Sequence, residues 1–305
     1  MQKRDLPFLP PGRLRLIAVP TMNEKKKAQF QRVKELAEAG RVEILAHFYQ
    51  RAEVKAVADF VGGAHEVISR ALGSRARAVM VCGASFMTME IMRRRLKIPL
   101  LTPRHDLSCP LAEAVSRDEV LAARSEFPKA LVVADIKVAP EIRALADLEI
   151  SPATARADLA AAVSRELIVL PGAHLADWAG FGSQVVKRWP RAICQVHELA
   201  LLEDLDQAKA EHPGATAAVN LLCRPEVKAG ADFVGDSAGI RQFCVESPRS
   251  EFIIVSEAGL AEYLAKTLPN KRFYETEAEI FCPNMKLTTL KSMVERLEEY
   301  LKIGP

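Results

Sequence analysis

The sequence predicts an α/β protein built as three pseudo-symmetric three-layer α/β/α domains, each with a short parallel sheet, around a common centre. Three observations predict it. An eight-residue motif recurs: EVKAVADF at Glu53–Phe60, EIRALADL at Glu141–Leu148 and EVKAGADF at Glu226–Phe233, with first glutamates 88 and 85 residues apart. Short apolar runs alternate with helical patterns around each copy, the signature of parallel βαβ units. Cys109, Cys194 and Cys282 follow the three Ala-Asp aspartates by 50, 47 and 50 residues, so each unit offers one thiol at an equivalent place.

The elements follow in order. A proline-rich lead-in and helix occupy 1–40. The helix spans Glu24 to Ala39, with Phe30, Val33, Leu36 and Ala37 as its apolar stripe and Gly40 as its stop. The repeats are assigned to 41–127, 128–213 and 214–305. Each opens on a strand: Val42–His47, Ala130–Ala134 and Thr216–Leu221. A helix follows, then a second short strand at the Ala-Asp-Phe/Leu motif, then a third at Ala78–Val81, Leu167–Leu170 and Phe252–Val255. A further strand precedes the cysteines, as at Ile98–Leu101 and Arg272–Tyr274. The final segment, Leu287 to Lys302, is an amphipathic helix with Leu290, Met293, Leu297 and Leu301 buried. Ligands of such sheets bind beyond the carboxyl ends of the strands, which places the centre where the strand-end loops of all three units meet.

The chain has 305 residues, 49% hydrophobic and 27% charged, with a formal net charge of +3. That charge is too small to argue for nucleic acid, and the runs Lys25–Lys27 and Arg93–Arg95 read as solvated helix faces. No apolar run reaches the roughly 18 residues of a membrane span. The N-terminus, with Lys3, Arg4 and Asp5 before prolines, has no signal-peptide core, so a cytoplasmic location is expected. In that reducing compartment six cysteines read as metal or catalytic ligands before disulfides. Only Cys109, Cys194 and Cys282 share repeat equivalence; Cys82, Cys223 and Cys244 do not. Thiolates are soft ligands suited to iron, and no C-x₂-C pair suggests a zinc ribbon. Three thiolates on a cubane [4Fe-4S] cluster leave one open iron, a Lewis acid for a substrate oxygen.

Ile44–Gln50 (ILAHFYQ) with Val57–Gly62, Val81–Met87 (VCGASFM), and the contexts Ser108–Ala112, Cys194–Glu198 and Phe281–Lys286 resemble the quinolinate synthase family over nearly the whole chain. The resemblance implies three pseudo-symmetric domains around one [4Fe-4S] cluster held by Cys109, Cys194 and Cys282, inserted by iron–sulfur assembly machinery. It implies a small-molecule substrate, with neither nucleic acid nor membrane as partner. The family condenses iminoaspartate with dihydroxyacetone phosphate, a step of NAD biosynthesis. His47, Tyr49 and His197 match its active-site residues, the first two expected to move protons and the third to bind substrate. Ser85 and Phe86 fall in its second signature.

Five places depart from the family. Its Asp-Ser after the first Ala-Asp motif is Gly63-Ala64 here. Its Tyr-x-Asn at the second domain's opening is Asp135-Ile136-Lys137, and its Ser-x-Asn is Pro152-Ala153-Thr154. Its His-Pro-Glu is Asn220-Leu221-Leu222, and its Ser-Thr-Gly is Asp236-Ser237-Ala238. Each lost donor costs about 1–3 kcal/mol of recognition, and Leu222 removes a proton carrier worth about 10²–10⁴ in rate. The expectation is a lyase or condensing enzyme with cluster and scaffold kept and substrate changed; the alternative is a divergent quinolinate synthase. Asp135, Lys137, Asp236 and Ser237 become the new pocket candidates, suited to a less anionic or amine-bearing ligand, unless Asp135 and Lys137 simply pair with each other. His65 and His174 read as ordinary surface or core histidines. Gly235–Gly239 also matches the G-x-S-x-G elbow, a remote serine-hydrolase reading that lacks a histidine after His212. A cluster-bearing sensor or electron carrier is the remaining class, though carriers use four cysteines.

Overall fold

The computed structural model describes residues 23–162, 165–278 and 280–304; the lead-in before residue 23, with Lys3, Arg4 and Asp5, lies outside them. Three four-stranded parallel sheets carry the fold. The first contains β1 (Val42–His47), β2 (Phe60–Gly62), β3 (Ala78–Cys82) and β4 (Leu100–Leu101) in the order β2-β1-β3-β4. The second contains β5 (Leu131–Asp135), β6 (Leu148–Ile150), β7 (Leu167–Leu170) and β8 (Val185–Lys187) in the order β6-β5-β7-β8. The third contains β9 (Thr216–Asn220), β10 (Phe233–Gly235), β11 (Glu251–Val255) and β12 (Arg272–Tyr274) in the order β10-β9-β11-β12. The central strands are buried on both faces, as all-parallel sheets require, so they read as continuous apolar runs. Strand positions match the sequence reading to within a residue or two. In each sheet the chain leaves the first strand to one side and returns on the other, which opens a crevice at the carboxyl ends of β1/β3, β5/β7 and β9/β11.

The repeated aspartate has a structural reason. Asp59 Oδ2 accepts the Ile44 amide at 2.8 Å, Asp147 Oδ2 that of Val132 at 2.8 Å, and Asp232 Oδ2 that of Ala217 at 2.7 Å. Each aspartate amide in turn donates to the carbonyl of the same residue, at 2.8, 2.8 and 2.9 Å. The motif thus clamps the start of the second strand to the first and fixes the register Leu45↔Phe60, Val133↔Leu148 and Ala218↔Phe233. Asp147→Ala is expected to cost about 1–2 kcal/mol, read as a lower denaturant midpoint.

The N-terminal helix runs Glu24–Gly40, capped by Asn23, whose side chain accepts the Lys26 amide. Its stop is Arg41, in the left-handed region at φ 49, rather than Gly40. Gly40 is instead a contact glycine: a Cβ there would lie 3.1 Å from Val42 Cγ2 and 3.3 Å from Tyr300 Cε1. Tyr300 belongs to the C-terminal helix Leu290–Ile303, which packs on the first helix and the first sheet through Leu290, Met293, Leu297 and Tyr300. Leu301 is only partly buried, because the period from Leu297 brings Tyr300 to the seam first.

The basic runs do more than face solvent. Lys26 pairs with Glu53, and Arg93 and Arg94 pair with the fully buried Glu90, which also accepts from the buried Arg143 of the second unit. Among the described residues no helix is long and apolar enough to cross a membrane.

Candidate active site

The last residue of the first strand plays one part in all three sheets. His47 Nδ1 accepts the amide of Tyr49 at 3.1 Å, Asp135 Oδ1 that of Lys137 at 3.0 Å, and Asn220 Oδ1 that of Leu222 at 3.0 Å. An acceptor at the strand tip therefore fixes the loop two residues on. The side chains so placed differ in kind: a phenol, an ammonium and an alkyl group.

The phenol is the best connected. Ser237 Oγ donates to Tyr49 Oη at 2.7 Å, and Asn220 Nδ2 donates to it at 3.1 Å. The Asn220 amide cannot turn over, because its oxygen holds the Leu222 amide. Two donors fill the two lone pairs of Oη, so the phenol proton is directed to Ser256 Oγ at 3.2 Å or to His197 Nε2 at 3.5 Å. Burial raises the Tyr49 pKa well above the usual phenol range, and the group stays protonated.

Burial pushes His47 down to about 3, with Lys286, Lys137 and Lys55 adding to the effect. His197 falls to about 3 through burial, then through His174 and Lys137. Both imidazoles are neutral near pH 7. His197 is fully enclosed, with Nδ1 3.2 Å from Cys194 Sγ and Nε2 toward Tyr49. It joins a cysteine to the phenol.

Asp135 and Lys137 do pair, Nζ to Oδ2 at 2.7 Å. Burial opposes the ammonium, yet the carboxylate beside it outweighs this and raises the Lys137 pKa. Asp236 caps the helix Ser237–Glu246 through Oδ1 and the Gly239 amide at 2.8 Å, and burial raises its pKa. The charge of Lys137 reaches His47, His174, His197, Cys109 and Asp236, groups drawn from all three units. His174 bonds the Ala192 carbonyl through Nε2 at 2.6 Å and lies within the field of Lys137.

Ser85 opens the helix Ser85–Arg93, its amide donating to Leu107 O at 2.8 Å. Phe86 lies in the core with Met87, Ile136 and Met285, and Tyr49, Cys109 and Cys282 pack against that same cluster. It forms the wall behind the site. Ser237 has a tyrosine rather than a histidine as its partner, and it is buried; the elbow is a helix start without a base.

The three cysteines share one local geometry. Cys109 receives the amides of Leu111 and Ala112, Cys194 those of Val196 and His197, and Cys282 those of Asn284 and Met285. Each cysteine carbonyl accepts from the residue four positions on, Glu113 at 3.2 Å, Glu198 at 3.0 Å and Lys286 at 3.2 Å. Every thiol therefore sits at the start of one helical turn with two N–H groups aimed at sulfur. Burial raises all three pKa values, that of Cys194 up to about 11, while the amides act in the opposite sense. Cys194 feels both Cys109 and Cys282, so the thiols converge. Among the described residues no three His, Cys, Asp or Glu side chains are grouped to hold a single ion. A multi-iron cluster needs no such meeting point, because its own atoms span the gap between ligands.

Two residues of this neighbourhood carry no sequence signal of their own. Ser256 and the fully buried Glu257 follow β11; Glu257 accepts the Cys282 amide at 3.1 Å and pairs with Lys286 at 2.7 Å. Lys286 also donates to the Tyr49 carbonyl at 2.8 Å. Their position one and two residues past a third strand is what could have marked them.

A family model described as quinolinate synthetase A protein matches residues 31–303. The chain is 34% identical over 258 residues to the quinolinate synthase of Thermodesulfovibrio yellowstonii, covering 84% of this chain and 85% of that one. It is 34% identical over 248 residues to that of Methanoregula boonei, covering 81% and 82%. To that of Aquifex aeolicus it is 30% identical over 289 residues, covering 91% and 88%.

Proposed function

Because the chain belongs to the quinolinate synthase family, we propose that it is a cluster-dependent lyase or condensing enzyme whose substrate differs from iminoaspartate and dihydroxyacetone phosphate. In this reading Cys109, Cys194 and Cys282 hold a [4Fe-4S] cluster. The donor set suits it: three thiols, each with two amides that favour the thiolate, at equivalent ends of three units. When bound, such a cluster supplies an open iron that polarises a substrate oxygen.

The chain's own residues do the rest. Tyr49, protonated, has both lone pairs of Oη filled by Ser237 and Asn220, so the proton it moves is handed on through Ser256 Oγ or His197 Nε2. His47, neutral, carries its ring proton on Nε2, because Nδ1 accepts the Tyr49 amide. The observation that carries the changed substrate is the trio of strand-tip loops. Where the resemblance places an acid–base glutamate the chain has Leu222, and where it places neutral amide chemistry the chain has the Asp135–Lys137 ion pair.

Purified protein with a reconstituted cluster, given iminoaspartate and dihydroxyacetone phosphate, is expected to form quinolinate at a rate at least about 10²-fold below that of a family member carrying the glutamate. Robust quinolinate formation would refute the reading. It would favour the second one, a genuine quinolinate synthase, which the retained His47, Tyr49 and His197 and the 34% identity support. The division at 41, 128 and 214, insertion of the cluster by iron–sulfur assembly machinery, and a cytoplasmic location form part of the same proposal.

A further inference from the structure

The hydrogen-bonding capacity of the site is almost entirely consumed within the protein. Tyr49 Oη is saturated by Ser237, Asn220 and Ser256, and the Asn220 amide is engaged at both ends. Both oxygens of Asp135 are taken, one by the Lys137 amide and one by its ammonium. His197 faces Cys194 and Tyr49.

Four atoms keep open valences among the described residues. The Lys137 ammonium uses one N–H on Asp135 and keeps two, although its side chain is only 17% exposed. His47 keeps its Nε2–H. Asp236 gives Oδ1 to the Gly239 amide and keeps Oδ2. His174 Nε2 lies 2.6 Å from the Ala192 carbonyl, which can only accept, so the proton is on Nε2 and Nδ1 is a free lone pair. His47 Nε2, Asp236 Oδ2 and His174 Nδ1 have no partner and yet are not among the sealed polar atoms, which include Gln50 Oε1 and Arg143 Nε, so these three reach accessible space. The field of Lys137 reaches the other three groups.

Two open donors and two open acceptors, one of each charged, describe the complement of a zwitterion. We propose that the site binds a small amino acid. Its carboxylate accepts from the Lys137 ammonium and His47 Nε2–H, and its ammonium donates to Asp236 Oδ2 and His174 Nδ1. A dicarboxylate or a phosphate ester would set a second anion against Asp236 and leave the acceptors without a donor, so both are disfavoured. This inference rests on the changed-substrate reading and narrows it to a class.

The test is calorimetric titration of cluster-loaded protein with L-serine, L-alanine, L-lactate, L-malate and sn-glycerol 3-phosphate. The amino acids should bind at least about tenfold tighter than lactate, malate or the phosphate ester. Lys137→Met should weaken amino-acid binding at least about tenfold, and Asp236→Asn, which keeps a capping side chain, should abolish the preference for alanine over lactate. Equal or tighter binding of malate or glycerol phosphate overturns the proposal. So does unaltered affinity in Lys137→Met, or no amino-acid binding at all. Melting curves of each variant separate misfolding from lost recognition. Iron is counted in the same samples: missing iron in the wild type counts against the thiolate assignment, whereas a wild type with full iron and no preference for amino acids counts against the zwitterion alone.

Discussion

Cys194→Ala is expected to lose the cluster while the protein keeps its fold. Partners that only hydrogen-bond to a ligand are worth about 10- to 100-fold in metal affinity, and removal of a direct thiolate exceeds that. After anaerobic reconstitution the variant should hold little iron or sulfide and lack the broad visible absorption of an iron–sulfur centre. Cys244→Ala is the matched control. Cys244 is buried beside Phe252 and Leu264 in the core of the third unit and shares none of the paired-amide geometry. It should keep full iron and lose only the stability of a small core truncation. Full cluster in Cys194→Ala, or equal loss in both variants, would refute the assignment.

Lys286→Met should be the most destabilising single change near the site, at about 3–5 kcal/mol. Lys286 neutralises Glu257, which is fully enclosed and bonded to the Cys282 and Gly259 amides, and it ties that pair to the Tyr49 carbonyl. Burial raises the Glu257 pKa against the pull of Lys286, and without the lysine it rises further. A raised folded-state pKa means that the protonated form is the better tolerated one. The deficit should therefore be smallest below the ordinary glutamate range of about 4.3 and grow as pH rises through the folded value. Denaturant midpoints of variant and wild type across acid to neutral pH give the check. A deficit that shrinks as pH rises would sink the assignment of Lys286 as the partner of Glu257.

The repeat was legible because its marks are local. Asp59, Asp147 and Asp232 clamp a strand to its neighbour 15 residues back, so the aspartate recurs with the fold. The cysteine turns likewise need only the next four residues. Contacts that span units leave no such local mark. Arg93 and Arg94 are exposed, as a solvated helix face should be, but their partner Glu90 also accepts from the buried Arg143 of the second unit. Ser237 reaches Tyr49 across 188 residues and Lys286 reaches it across 237. Gly259 shows the same closeness, since a Cβ there would lie 2.6 Å from the Phe48 carbonyl.

By itself the sequence determined three α/β units, the equivalence of Cys109, Cys194 and Cys282, and the replacement of polar groups at the strand tips. Spacing and periodicity suffice for those, because each depends on neighbours along the chain. Only the tertiary structure decided which polar groups satisfy one another. Asp135 spends both oxygens on Lys137, Tyr49 is saturated by Asn220, Ser237 and Ser256, and Lys137, His47, Asp236 and His174 are left with open valences. Hydrogen-bonding capacity is finite and is shared among groups from three separate units, so what remains for a ligand exists only once those units have met.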